Sequence, residues 1–285
     1  MSTADAAGSR ERAGSTGDEA APSRRERARA ATIAEIKQTA LRLMAESGTT
    51  DFRFSDIARE MGMTAPALYR YFADRGELLT ELIIDAYYDL GRAVRAARNQ
   101  VTDDSDVWGR LLAGSQAYRT WARQEPQRFA IILGMPVPGY SAPEEGPTTE
   151  AAMRAMGELQ VLFLHAVRLG VLGPPEITEV DDAFVAALVE AHGGDHRMPG
   201  VAADLDADDP AIEAAMNPAT FQAMLSMWAS LHGFTSLEAY GHLHWLTPEG
   251  RDALFVSGMR LAARAAGLPD QSPSESSKAS ESSDG

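Results

Sequence analysis

The chain has 285 residues, 45% of them hydrophobic, and a formal net charge of −15 at pH 7, enough for one large or two modest domains. It has no cysteine, which excludes disulfides, thiolate zinc sites and cysteine nucleophiles together. No run of about 18 apolar residues suggests a membrane span, and the first twenty residues lack the apolar middle of a secretory signal, so a soluble cytoplasmic protein is expected.

The charge is unevenly distributed. Residues 1–100 hold 15 basic and 15 acidic side chains; of the chain's 26 and 41, this leaves 11 and 26 for residues 101–285. The whole acidic excess therefore sits in the second part. Phosphate contact depends on local charge rather than the total, so the first part stays open to a nucleic-acid partner while the second is repelled by one.

Residues 1–23 are rich in Gly, Ser, Ala and charge without periodicity, and are expected to form a disordered tail. The C-terminal tail, residues 268–285 with "PDQSPSESSKASESSDG", reads the same way. Between them the pattern is helical, and strand signals are missing. A first helix is predicted from Arg24 to Glu46, with Ile33, Ile36, Ala40, Leu43 and Met44 at three- and four-residue steps and Ser47-Gly48 as its stop. A second covers about Phe54 to Met61. Gly62 supplies the turn, since a residue without Cβ takes a positive φ freely. Thr64 is placed to cap a third helix, with Pro66 tolerated in its first turn. Asp74 is placed to cap a fourth, apolar through Leu78, Leu79, Leu82 and Ile83. A long helix, a short helix, a glycine turn and another short helix describe a helix-turn-helix.

The residues themselves are more specific. Ile57-Ala58, Gly62-Met63-Thr64, Ala67-Leu68-Tyr69-Arg70-Tyr71-Phe72, Arg75 and Leu78-Leu79 follow one another at fixed spacing. On these residues the stretch from about 28 to 80 resembles the TetR family of bacterial transcriptional regulators. The resemblance implies that the second short helix enters the major groove of DNA while the first crosses the backbone. It puts Thr64, Ala65, Pro66, Ala67, Tyr69, Arg70 and Tyr71 on or beside the reading face, with Leu68 and Phe72 turned to the core. Thr64 and Tyr69 are expected to bond phosphates, and Ala65, Pro66 and Ala67 to offer methyl contact to thymine. Arg75 replaces the usual lysine at a phosphate-facing helix start. Arg53 stands where the family commonly has a Ser or Thr cap, and Ser55 where a basic residue is frequent. The basic stretch "SRRERARAA" is a candidate arm for phosphate or minor groove.

Beyond the fourth helix, apolar periodicity returns over Val107–Trp121, Pro126–Leu133, Met153–Val171, Phe184–Ala191, Pro218–Leu231 and Pro248–Ala266, the last ended by Gly267. Residues 133–150 and 192–210 read as long Pro/Gly loops. "MWASLHGFTSLEAYGHLHW" resembles the Trp-x-x-x-His-Gly signature of one C-terminal domain class in TetR-like regulators, carried by Trp228, His232 and Gly233. This implies a two-fold dimer bundle from the last two long helices and an effector pocket among the middle ones. Candidate pocket residues by composition are Trp121, Met135, Met153, Met156, Phe163, His165, Met224, Trp228 and His232, each of which also reads as ordinary core. His165 lies within an apolar run, where a buried imidazole needs a partner. A hydrophobic or amphipathic effector is expected.

The expected architecture is thus all-α: a helix-turn-helix domain over 24–82 and a larger helical effector-binding and dimerisation domain over 83–267. The expected function is a ligand-released repressor that binds a palindromic double-stranded DNA operator as a homodimer, with no enzymatic activity, no resident metal and no cofactor. The rival is a helical metal-dependent hydrolase or ligand-binding dimer using His192, Asp195 and His196, with His242 and His244 nearby, since histidine and carboxylate are ordinary zinc ligands. That cluster sits in a glycine-rich loop without a general-base glutamate. A serine hydrolase lacks its G-x-S-x-G elbow.

Overall fold

The computed structural model describes residues 23–134, 139–140, 146–191, 215 and 217–273. Residues 1–22 and 274–285 of the expected tails, Met135, and the His192/Asp195/His196 group lie outside them. Among the described residues there are ten helices and no strand.

The N-terminal third is assembled by helix caps. Ser23 and Glu26 form a reciprocal capping box, Glu26 N–H donating to Ser23 Oγ at 3.2 Å and Ser23 N–H to Glu26 Oε2 at 2.6 Å, and this starts α1, Arg24–Ser47. The helix stops at Gly48, whose φ of 66° only a residue without Cβ adopts cheaply. Its inward stripe buries Ile36, Ala40 and Met44. Helix α2, Phe54–Glu60, adds Phe54, Ile57 and Ala58 to that core. Gly62, at φ 62°, turns the chain into α3, Ala65–Leu68. The Asp74 carboxylate accepts from Glu77 N–H at 2.9 Å and opens α4, Arg75–Gln100.

Helix α4 is the axis of the molecule. At about 1.5 Å per residue it spans about 39 Å. Its first half buries Leu78, Leu79, Leu82 and Ile83 in the core it shares with Ile36, Ile57 and Leu68; its second half packs on α5, Val107–Gln124, and α7, Pro147–Arg168. It runs without interruption through the expected domain boundary at residue 82. Helix α6, Pro126–Leu133, touches both α1 and α4. Helix α8, Asp182–Ala191, places Phe184 against Phe221, with 6.4 Å between ring centroids. Helices α9, Pro218–Ala239, and α10, Pro248–Ala265, pack on each other and on α5, started by the side chains of Asn217 and Thr247. One apolar core runs from Ile36 to Leu268.

Helix α5 runs three residues past Trp121, to Gln124, α7 stops three short of Val171, at Arg168, and three other expected boundaries move as well. Helix α7 begins six residues before Met153, at Pro147, since proline in a helix's first turn gives up no intrahelical bond. Helix α9 continues eight residues past Leu231, to Ala239. The expected C-terminal tail starts ordered: Leu268 is buried, and Ser272 donates its hydroxyl to the Asp106 carboxylate at 3.0 Å.

Candidate nucleic-acid interface and effector cavity

The turn between α2 and α3 closes with Met63 N–H donating to the Ala58 carbonyl at 2.8 Å. This fixes the angle between the two short helices. Leu68 and Phe72 anchor α3 and the turn after it, at 0% and 4% exposure. The face opposite these anchors is open. Arg53, Ser55, Thr64, Pro66, Tyr69 and Arg70 are exposed, while Ala65, Ala67, Tyr71 and Arg75 are half-buried. The Tyr69 ring rests on Phe54 with 5.2 Å between centroids, yet the residue remains 54% exposed. A rigid amphipathic ring with one wet side suits a phosphate or base contact.

Two details differ from what the residue types suggest. Thr64 occupies the N-cap of α3, but its hydroxyl makes no capping bond; nor does Arg53 supply one for α2. The Arg75 guanidinium is engaged within the protein. It pairs with Asp51 at 2.8 Å and lies over the Phe52 ring, 5.1 Å from its centroid. A phosphate at this helix start would compete with the Asp51 carboxylate for the same guanidinium.

The second site is a cavity between α4, α5, α7 and α9. Its wall is Leu90 and Val94 of α4, Leu111, Gly114, Ser115 and Tyr118 of α5, Met156, Glu158, Leu159 and Leu162 of α7, and Trp228 and Leu231 of α9. Aliphatic side chains dominate, with a few polar groups placed among them, the usual make-up of a small-molecule site. The space is contracted, about 40 Å³, room for about three waters on the ~10–15 Å³ that each occupies by such a measure. A ligand of ordinary size must therefore push these helices apart, and α4 is one of them. A larger groove of about 130 Å³ lies between α9, α10 and the α7–α8 connection, lined by Ile177, Gln222, Ser226 and Ser230 among others. None of its lining residues belongs to α4.

Of the nine pocket candidates, Met156 and Trp228 line this cavity. Trp121, Phe163 and Met224 are buried core. Met153 and His165 are half-buried. His165 Nε2 lies 2.6 Å from the Asp104 carbonyl, so its partner belongs to the α4–α5 connection rather than to the cavity. His232 stacks beneath Trp228, bonds Tyr118 Oη at 3.1 Å and lies 3.3 Å from Ser236 Oγ. Burial holds the His232 imidazole below its ordinary pKa and pushes the Tyr118 hydroxyl above its own. The neutral ring is thereby fixed behind the indole.

Among the wall residues that composition does not mark, Glu158 is the charged one. It is 4% exposed and its carboxylate is held by Arg98 at 2.7 Å and by Arg95 at 2.6 Å. The signal available is one carboxylate inside the apolar run "MGELQVLFLH". Two further networks surround the cavity. Asp89 of α4 accepts from Trp121 Nε1 and from Arg128, each at 3.0 Å. Arg119 of α5 grips Glu238 of α9 through two bonds of 2.6 Å and pairs with Asp252 of α10 at 2.8 Å.

Among the described residues no group of three or more His, Asp or Glu side chains is placed to hold a metal ion. His242 and His244 are exposed in the turn after α9. No described helix is long and apolar enough to cross a membrane.

An exposed helix-turn-helix joined by one continuous helix to an all-helical body with an apolar cavity is the architecture of a DNA-binding transcriptional regulator. Similarity to known proteins makes this specific. The family description "Bacterial regulatory proteins, tetR family" matches residues 36–82, and "Tetracyclin repressor-like, C-terminal domain" matches residues 111–262, which include Trp228, His232 and Gly233. The HTH-type transcriptional regulator Rv1816 of Mycobacterium tuberculosis is 32% identical over 222 residues, covering 76% of this chain and 85% of its own; Mb1846 of Mycobacterium bovis matches equally. The crystal structure of the protein SCO4313 is 36% identical, with a TM-score of 0.59 over 84% of this chain and 98% of its own. A Rhodococcus sp. RHA1 protein, 19% identical over 80% of this chain and 93% of its own, shares the fold with a TM-score of 0.55. The chain belongs to the TetR family of transcriptional regulators, and its relatives are regulators rather than enzymes.

Proposed function

We propose that the chain is a cytoplasmic, ligand-released repressor that reads a palindromic operator as a homodimer, its reading head within 24–82 and its effector and dimer part within 83–267. The observation that carries the reading is the composition of α9. Its sequence "PATFQAMLSMWASLHGFTSLEA" carries Glu238 as its one charged side chain and places apolar residues well beyond the face turned to the core. Such residues are stable when covered. One side nevertheless faces solvent: Leu225 is 39% and Leu237 47% exposed, with Ala229 and Gly233 between them. Beside it α10 exposes Leu254 at 48% and Leu261 at 65%. A second copy related by two-fold symmetry covers both stripes with the same surface. The small residues at 229 and 233 allow two helices to approach closely.

Such a dimer carries two reading faces, and half-sites about one helical turn apart suit it. Tyr69, Arg70, Thr64 and the alanines around Pro66 are the groups we assign to DNA. The effector enters between α4, α5, α7 and α9, and widening that space displaces α4. Coupling of about 1–3 kcal/mol between the two sites is the usual scale.

The test has two parts. Light scattering of the full chain is expected to give a dimer, and Leu254→Arg with Leu261→Arg a folded monomer; an unchanged assembly refutes the placement of the surface. Footprinting on the DNA upstream of the protein's own coding sequence is expected to show a protected palindrome. Tyr69→Phe should weaken it about 30-fold, the loss of one ~1 kcal/mol hydrogen bond in each of the two half-sites.

A further inference from the structure

The inward stripe of α1 does not end where the core ends. Ile36 is fully buried and Ile33 packs against the core beside it. Continuing toward the N-terminus at four-residue steps, the same line reads Arg29 and then Arg25. Residues 23–31 are all exposed, so the first two turns of α1 overhang the rest of the molecule. They are nonetheless a fixed helix, started by the Ser23–Glu26 capping box. Arg29 joins this overhang to the reading element. Its Nη1 donates to the Arg70 carbonyl at 3.3 Å, and its guanidinium lies 5.1 Å from the centroid of the Tyr71 ring.

Charge says what the overhang faces. Residues 24–82 contain ten basic and nine acidic side chains. Four of the ten, Arg24, Arg25, Arg27 and Arg29, lie in these two turns against one acid, Glu26, which is occupied in the cap. The remainder carries six basic against eight acidic. Four of those six are already paired: Lys37 with Glu81 and Asp85, Arg42 with Glu46 and Glu60, Arg59 with Asp56, and Arg75 with Asp51. Among the described residues Arg24, Arg25, Arg53 and Arg70 make no ion pair with a carboxylate. The positive charge of the reading head is thus concentrated in the start of α1, beside the end of the reading element.

We propose that the first two turns of α1 are a second DNA-contacting element, in which Arg24, Arg25 and Arg27 bind backbone phosphates flanking the bases read by α3. Arg29 is the positioning residue that sets this helix against Tyr71. The element is a preformed helix on the duplex exterior, not an arm that enters the minor groove. It contributes affinity and salt dependence without sequence preference. The proposal rests on the regulator reading above, and its test separates the two.

The full chain is first used to select duplexes from a random-sequence pool. Binding of a selected duplex and of an unrelated duplex is then followed against salt concentration. With Arg24, Arg25 and Arg27 all changed to Ala, the slope of log K against log salt should fall by about 0.9 for each phosphate no longer neutralised, or about 2.7 per protomer. Both duplexes should weaken together, leaving their ratio unchanged. The triple Arg→Lys variant should keep the slope. Arg29→Ala should instead lower the ratio between the two duplexes, because the Tyr71 end of the reading element is released. An unchanged slope in the alanine variant, with helical content retained by circular dichroism, overturns the proposal and leaves the regulator intact. Failure of the unmodified chain to select any duplex overturns both.

Discussion

The Trp228 indole and the His232 imidazole lie nearly parallel, 5.3 Å between ring centroids and 8° between planes, one turn apart on α9. The pair that marks the C-terminal signature is therefore a two-layer wall, indole against the cavity and imidazole behind it, tied to α5 through Tyr118. Burial lowers the imidazole pKa from the ordinary value of 6.5. A base whose folded pKa is lowered stabilises the fold above its unfolded pKa, and that stability is lost as pH falls below it. Denaturant titrations of the full chain should show stability declining from about pH 6.5 downward. His232→Gln should flatten that part of the profile; a variant with the same slope there would remove His232 as its source.

The grip of Arg119 on Glu238 is buried on both sides, 8% and 7% exposed at the side chains, and Arg119 also lies over Phe255, 4.8 Å from the ring centroid. The Arg119 bonds hold the Glu238 carboxyl below the ordinary carboxylate range. An acid with a depressed pKa contributes fully above its unfolded value, here 4.5, and the contribution fades as pH falls through the folded value. Glu238→Ala should cost about 3 kcal/mol at neutral pH, the lower end for breaking a buried pair, because Asp252 still meets Arg119. The same variant should lose stability less steeply than the parent below pH 4.5. Urea midpoints measured across that range decide it.

Trp121 joins α5 to α4 by one bond. Burial raises the Asp89 carboxyl, but the bonds from Trp121 and Arg92 and the charge of Arg128 outweigh it and hold the group low. Asp89 is therefore ionised, and Trp121→Phe removes a charge-assisted bond of about 1.5–3 kcal/mol, keeping an aromatic but smaller side chain in the core. Thermal unfolding should register that loss. If α4 transmits the effector signal, the variant should also change the effector concentration needed to release DNA, with DNA affinity in its absence nearly unchanged.

Gly114 lines the cavity from α5, and a methyl group there would sit 3.5 Å from Val94 Cγ1, an ordinary contact. Gly114→Ala should stabilise the fold by about 0.5–1 kcal/mol, from helix propensity. Gly114→Leu has to occupy the cavity, where the proposed effector would sit. It is expected to bind DNA but to resist release by the effector, which a gel shift with and without that compound would show.

The caps and turns are legible in the sequence because their chemistry is local. Asp74, Gly48 and Gly62 act within four residues of where they stand, whereas the Ser23 cap falls inside the expected tail and the Thr64 hydroxyl, expected to cap α3, makes no capping bond. The all-helical fold class follows from those stops plus period, while the expected reading face comes from the family resemblance alone. What stays hidden depends on distance along the chain. Nothing near Trp121 announces that its indole meets Asp89, 32 positions earlier, rather than a ligand. Nothing near His165 points to the Asp104 carbonyl, 61 positions away. Glu158 carries no mark of burial because Arg95 and Arg98 reach it from another helix. The predicted length of α9 falls short for a different reason: Gly233 weakens a helix by about 1 kcal/mol in isolation. Here packing on α5 and α10 carries the helix through it.

Helix α4 also limits how this regulator can be rebuilt. A DNA-reading cassette excised at residue 82 would sever a rod in mid-span, leaving Leu78, Leu79 and Leu82 on one fragment and Ala86 and Leu90 on the other. Hybrids that graft a foreign sensor onto this head need the entire rod to Gln100, together with the flank of α5 that grips it. Joined there, the graft keeps the packing of α4 on α5 and α7 whole; joined earlier, it cuts a helix that packs on both parts.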